Sequence, residues 1–365
     1  MAAPPEPRPG QAPSAPGPLD PARVGRILVI KWSALGDLAV ASAAMEDLRR
    51  AFPRAEMHLN TMPPWDRLFR EDPRFARVLA LPLRRQGPRA SLRWLREVAK
   101  GGYDLVVDLQ ANDRSRLLLA ALRLALAARP GARRPFLAGN QGGFPYHIPR
   151  VALPEEAHAA ERMRTALAAL GVPAVARRPV LHVPPRHEER ARRLLAEAGL
   201  VPGGFAVFLP GCQAAGYLKR WGAARYAALG RRLLARGLRV ALLGAADEAE
   251  ECAAIAEALG EGAANLCGRT EVLDLLPLCA RARCIVGNDT GTAHLAAATG
   301  VPMVVLFGPT DPRRARPLGP QVRALQAPLP CINCYRKHCP DLGQRCMAEL
   351  RPEQVEEALA ALGAL

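Results

Sequence analysis

In the stretch CIVGNDTGTAHLAAATGVPMVVLFG, residues 284–308, five polar side chains crowd one strand-to-helix junction: Asn288, Asp289, Thr290, Thr292 and His294. A short apolar run stops there and an Ala-rich helical pattern begins. The first turn of a helix leaves amide N–H groups without partners and carries the positive end of the helix dipole, a ready anion site. Gly291 lets a ligand approach the backbone closely, and threonine hydroxyls add donors. Capping alone needs one such residue. Asp289 is a strange neighbour for a phosphate unless it faces a hydroxyl-rich part of the ligand, such as a ribose or a sugar. A well-capped helix with a solvated histidine is the plainer reading, and the pattern leaves both open.

Three other junctions have the same character. In LPGCQAAGYLKRW, residues 209–221, Lys219 can act as a point charge for a phosphate, with Arg220 beside it. A surface cation pair over Trp221 explains the same residues. In VIKWSALGDLAV, residues 29–40, Gly36 permits a tight turn and Asp37 stands where a helix begins. Asp37 is either an N-cap or a general base reaching into a cleft. The helix dipole favours its carboxylate, whereas a closed apolar cleft would raise its pKa. In LLGAADEAEE, residues 242–251, capping accounts for Asp247 and Glu248, and a ribose contact from Glu248 is the sharper alternative. Two of the four lysines, Lys31 and Lys219, lie in these junction loops. Arg114 and Arg116, in DLQANDRSR, follow a strand ending near Asp108. They are candidates for binding acidic acceptor groups, or form a solvated helix face.

The elements that would position these residues alternate. Short apolar strands at RILVI, AEMHLN, ARVLALP and DLVVDL are interleaved with helices from about Leu38 to Ala51 and near Ser91–Lys100. After a crossing segment near residues 180–185 the pattern restarts with FAVFLP, a helix over residues 223–236, RVALLG, a helix over 248–259, CIVG, a helix over 290–299 and PMVVLF. Such alternation indicates α/β architecture, with parallel sheets covered by helices on both faces. Two tandem units predict two Rossmann-like domains facing across a cleft, with ligands beyond the carboxyl ends of the strands. The expected division is a Pro/Ala-rich disordered tail over 1–22, a first domain over 23–180, a second over 186–350 and a terminal helix over 351–365.

A length of 365 residues suits two such domains. The charge is +16, carried by 46 Arg and four Lys, which favours nucleic acid, anionic lipid or phosphorylated substrates without choosing among them. At 5% aromatic residues there is little sign of stacking platforms for single strands, so no nucleic acid is expected. The tail lacks the apolar segment a secretory signal needs, and no window reaches the roughly 18 apolar residues of a membrane span. The expected location is cytoplasmic. Neither G-x-G-x-x-G nor G-x-x-x-x-G-K-[ST] is present, which removes the standard dinucleotide and P-loop readings. The spacing C-x2-C-x4-C-x6-C at Cys331, Cys334, Cys339 and Cys346, with His338 nearby, would suit a structural zinc or an iron–sulfur cluster; unligated thiols and paired disulfides are the alternatives.

Taken together, RILVIKWSALGD, LPGCQAAGYLKRW, LLGAADE, the block NLCGRTEVLDLLPLCARARCIVGNDTGTAHLAAATGVPMVVLFGPTDP and the C-terminal PEQV helix resemble glycosyltransferase family 9, the lipopolysaccharide heptosyltransferases. The resemblance runs from about Arg26 to the end. It implies a GT-B fold with an acceptor-binding first domain and a nucleotide-sugar-binding second one, and metal-independent, inverting transfer of a heptose or related sugar from an ADP-sugar, with no cofactor required. By that resemblance Asp37 is the base. Lys219 and the amides around Thr290, Gly291 and Thr292 meet the leaving diphosphate, Asp289 and His294 contact phosphate or sugar, and Glu248 binds ribose. The implied acceptor is a phosphorylated Kdo–lipid A type molecule, at the inner face of an anionic inner membrane. Some members carry His three residues after the first-domain Asp; here that position is Val40. Two rival readings are another GT-B enzyme, such as a nucleotide-sugar epimerase, and a nucleic-acid-binding protein.

Overall fold

The computed structural model describes residues 19–83, 87–140, 142–212, 214–340 and 343–365. The tail expected over 1–22 lies mostly outside them. Its end forms a 3-10 turn at Pro21–Arg23, capped by the Asp20 carboxylate on the Ala22 amide at 2.9 Å.

The first half runs β1 (Arg26–Ile30), α1 (Leu35–Ala51), β2 (Glu56–Thr61), β3 (Arg77–Ala80), α2 (Gly87–Lys100), β4 (Leu105–Asp108), α3 (Asp113–Ala127), β5 (Phe136–Gly139) and α4 (Ala159–Ala168). The second runs α5 (Pro185–Glu197), β6 (Phe205–Leu209), α6 (Ala223–Leu234), β7 (Arg239–Leu242), α7 (Ala249–Leu259), β8 (Ala263–Asn265), α8 (Leu275–Ala280), β9 (Cys284–Asn288), α9 (Gly291–Ala296), β10 (Met303–Phe307), α10 (Pro312–Ala315), β11 (Val322–Gln326), α11 (Arg345–Ala348) and α12 (Pro352–Ala361).

Each half is built on one sheet, in the orders β3-β2-β1-β4-β5 and β11-β10-β9-β6-β7-β8, with every pairing parallel. The central strands are continuous apolar runs because both faces are covered; Ile27–Ile30 and Cys284–Val286 are each buried. The chain reverses direction across the sheet between β1 and β4, and again between β6 and β9. Those switch points open a crevice beyond the carboxyl ends of the strands.

Helix α1 begins three residues before the expected Leu38, because Asp37 at its third position accepts the Ala34 amide at 3.1 Å and secures the first turn. It stops at Phe52, before Pro53, which cannot continue a helix. Its residues from Leu38 to Met45 are buried on nearly every side, since α1 is held between the first sheet, α4 and α9 of the second half. A fully buried side chain such as Leu48 contributes about 1.5–3 kcal/mol. Two polar residues on α1 fasten the connection between the halves. Asp47 Oδ1 accepts the Val175 and Ala176 amides at 3.0 and 2.7 Å, and Ser42 Oγ accepts the Val180 amide at 2.9 Å. Helix α12 closes the second half against α6, where Arg232 and Arg236 meet Glu356.

Candidate active site

At the second switch point the loops after β6 and β9 are tied together by Asn288, which is fully buried at the end of β9. Its Nδ2 donates to the Pro210 carbonyl, and its Oδ1 accepts the Tyr226 hydroxyl at 3.1 Å. Next to it, the buried Asp289 carboxylate accepts two bonds on Oδ2, from Lys219 Nζ at 2.6 Å and from Thr310 Oγ1 at 2.6 Å. Lys219 also reaches the Asp289 carbonyl at 3.3 Å. This pairing removes the oddity of a carboxylate inside an anion site, because the ammonium neutralises it. The ammonium side chain keeps 28% exposure, so it remains open to a ligand. The start of α9 carries no side-chain cap from Thr290, whose hydroxyl instead meets that of Thr292 at 2.9 Å. The amides there stay available to a bound oxygen.

His294 projects from the same turn. Burial lowers its pKa below the ordinary 6.5, against the pull of Asp289 and Asp37, so the ring is neutral at pH 7. Its Nδ1 is buried without a hydrogen-bond partner among the described residues. The ring meets the first half directly: a Cβ on Gly36 would lie 2.8 Å from His294 Cδ2, and one on Gly291 would lie 2.9 Å from Leu35 Cβ. The beginnings of α1 and α9 therefore approach almost backbone to backbone. Asp37, the neighbour of Gly36, stands exposed at the rim of this contact. Beneath it lies Lys31, 4% exposed, whose pKa burial lowers while Asp37 and Asp108 pull the other way. Asp108 ends β4 fully buried; it accepts the Tyr146 hydroxyl at 2.7 Å and the Ala111 amide at 2.9 Å, and burial raises its pKa.

Glu248 sits at the head of α7, with Oε2 accepting the Ala245 amide at 2.8 Å. Its carboxyl lies over the backbone of Gly211, where any side chain would overlap it, and burial raises its pKa. Glu251, one turn on, buries both carboxylate oxygens without a hydrogen bond to any of the described residues. Arg220 Nε stands 3.6 Å from Oε2, and burial pushes the Glu251 pKa up to about 7.

The structure thus gathers Asp37, Lys219, Asp289, Thr290, Gly291, Thr292 and His294 around one crevice, with Glu248 on the loop after β7. Arg114 and Arg116 stand in the first turn of α3, after β4. Arg114 lines a groove between α2 and α3. Arg116 is engaged: it donates to the Phe144 carbonyl at 2.6 Å and stacks over the Tyr146 ring. Cys331 and Cys334 are exposed and Cys339 and Cys346 half-buried, all as free thiols. Among the described residues no three His, Cys, Asp or Glu side chains are placed to hold a metal ion. Sequence reasoning passed over Thr310 and Glu251. Thr310 had a signal, since it follows β10 at the same edge of the sheet; Glu251 had none, because its isolation depends on what packs around it.

Comparison with known proteins places the chain in a family and fold. Residues 91–343 match the family described as glycosyltransferase family 9 (heptosyltransferase). Lipopolysaccharide heptosyltransferase 1 of Pseudomonas aeruginosa is 31% identical over 358 residues, covering 90% of this chain and 92% of that protein. Lipooligosaccharide heptosyltransferase 2 of Haemophilus influenzae is 27% identical, covering 80% and 86%. Among solved structures, a family 9 glycosyltransferase from Veillonella parvula superposes with a TM-score of 0.74 at 21% identity, covering 93% of this chain and 97% of that one. Escherichia coli ADP-heptose lipopolysaccharide heptosyltransferase II does so with a TM-score of 0.68 at 23% identity, covering 92% and 98%. The fold is GT-B. The chain belongs to glycosyltransferase family 9, the heptosyltransferase family, and is a glycosyltransferase.

Proposed function

We propose that this enzyme moves a heptose, or a closely related sugar, from an ADP-sugar to the inner core of lipopolysaccharide, with inversion and without a metal ion. The observation that carries the reading is the Lys219–Asp289 pair beside the uncapped start of α9, set against Asp37 across the Gly36–His294 contact. The relatives' activities support the choice of sugar, and an Escherichia coli heptosyltransferase of the same fold was solved with ADP and with ADP-2-deoxy-2-fluoro heptose.

In this mechanism Asp37 takes the proton of the acceptor hydroxyl as its oxygen attacks the anomeric carbon. The bond from that carbon to the diphosphate breaks on the opposite face, and ADP leaves with the electron pair. Lys219 and the amides at Thr290, Gly291 and Thr292 meet the developing charge, a task that fixed donors perform without a cation. Neutral His294 offers Nδ1 to phosphate or sugar, and Glu248 receives the ribose hydroxyls. Arg114, free of the bonds that occupy Arg116, is the better placed of the two for an acidic acceptor group. The acceptor is a phosphorylated Kdo–lipid A type molecule at the cytoplasmic face of an anionic membrane. The four cysteines have no part in the chemistry.

The test is transfer from ADP-heptose and other ADP- and UDP-sugars to defined truncated lipopolysaccharides, with and without EDTA, read by mass spectrometry. Heptose addition that survives chelation is expected. Turnover of a different sugar nucleotide only would overturn the donor assignment, and loss with EDTA the metal independence.

A further inference from the structure

One face of the first half carries features the transfer reaction does not use. Helices α2 and α3 lie side by side, and a groove of about 520 Å³ between them is walled by Pro88, Leu92, Leu95, Leu117 and Ala121. Nine large apolar side chains are exposed among the described residues, and four belong to this face: Leu117 at 71%, Leu124 and Phe144 at 67%, and Leu92 at 49%. Leu92 and Leu117 line the same groove. Leu117 and Leu124 are seven apart on α3, two helical turns along one stripe. Phe144 stands beside the next stripe, where Arg123 lies over its ring and Arg116 holds its carbonyl.

Charge frames this apolar strip. On α2, Ala90, Trp94 and Val98 point inward, whereas Arg89, Arg93, Arg96 and Lys100 form an exposed cationic stripe on the far side of Leu92. Residues 87–134 contain ten Lys and Arg against four Asp and Glu, and one of those acids, Asp108, is buried. Leucines flanked by arginines on a surface helix pair are what an anionic bilayer accepts, with apolar side chains at the headgroup boundary and cations at the phosphates. Both helices start directly after strands, so the Pro88 and Arg114 end of the groove lies at the carboxyl edge of the sheet, where the crevice opens.

We propose that the α2–α3 face docks on an anionic lipid bilayer, which presents a lipid-linked acceptor at the mouth of the crevice. The proposal rests on the acceptor being lipid-linked, as read above. Vesicle binding tests it without any transfer. Wild-type protein should co-sediment with phosphatidylethanolamine/phosphatidylglycerol vesicles and not with phosphatidylcholine ones. Leu117→Gln with Leu124→Gln, both largely exposed and so harmless to folding, should lower the partition coefficient about tenfold. Arg93→Gln with Arg96→Gln should lower it by a similar factor and flatten its salt dependence. Transfer to a deacylated, water-soluble acceptor should stay within about twofold of wild type for both variants, and transfer to acceptor embedded in vesicles should fall with binding. Unchanged partitioning in both variants, or absence of wild-type binding, overturns the proposal. So does a wild-type dimer that the leucine substitutions dissolve in sedimentation velocity, which would make the face a self-interface. Failure of wild-type transfer to every acceptor, with the vesicle results intact, would instead overturn the functional reading.

Discussion

The two switch points hold similar residues in opposite states. At the second, the carboxylate of Asp289 is buried and its Oδ2 is shared by an ammonium and a hydroxyl. At the first, the carboxylate of Asp37 is exposed and accepts an amide of its own helix start, while the nearby ammonium of Lys31 is buried away from water. A carboxylate neutralised by a cation is a poor base and a good scaffold; an exposed one is free to accept a proton. In the proposed mechanism the halves divide the work accordingly: the second is built in advance to hold charge, and the first leaves the proposed base accessible.

The strongest way to break this contrast is Asp37→Asn. Removing a general base costs about 10²–10⁴-fold in rate, and ADP affinity by calorimetry should change less than about twofold because the donor residues sit in the other half. Asp289→Ala is expected next. It strands Lys219 and Thr310, so transfer should fall about 10²-fold, and the urea midpoint should report a loss of about 3 kcal/mol, near the lower end for a broken buried pair since Lys219 is partly exposed. If that variant keeps wild-type stability, the second switch point is not the rigid one. Gly36→Ala sharpens the geometry: its methyl would press on the His294 ring, and about a tenfold loss of kcat with little change in ADP affinity is expected.

The smallest effect concerns Glu251. Its folded pKa is raised from the ordinary 4.5 to about 7, so the native state holds a proton that the unfolded chain releases. Stability from this group is therefore complete below pH 4.5 and is lost as pH rises through 7. Glu251→Gln, which does not titrate, should raise the melting temperature by about 2 °C at pH 8 and by little at pH 5. A gain of equal size at both would mean the carboxyl is not titrating there.

Much of the framework was legible because parallel strands buried on both faces announce themselves as apolar runs. RILVI, FAVFL and MVVLF lie where the sequence reading expects strands. The strands that went unnamed are short or mixed: β5 has four residues and β8 three, and β11 reads VRALQ with an arginine as its second residue. Helix α5 was hidden by its arginines and by the proline that opens it. At the site, each junction stood out because several polar residues exceeded the needs of one cap. What joined the junctions did not, since the Lys219–Asp289 bond spans 70 positions and depends on which strands are neighbours. Arg116 shows the converse limit. Nothing in DRSR reveals that a loop near residue 144 will occupy its guanidinium.

Gly36 and Gly291 have one last consequence. Where the lobes touch, each sets bare backbone against a side chain of the other, Gly36 against the His294 ring and Gly291 against Leu35, so neither glycine leaves room for even one added methyl. Tuning such an enzyme toward larger or smaller acceptors would have to proceed at the periphery, because at this midpoint any side chain in place of either glycine would collide with the facing lobe.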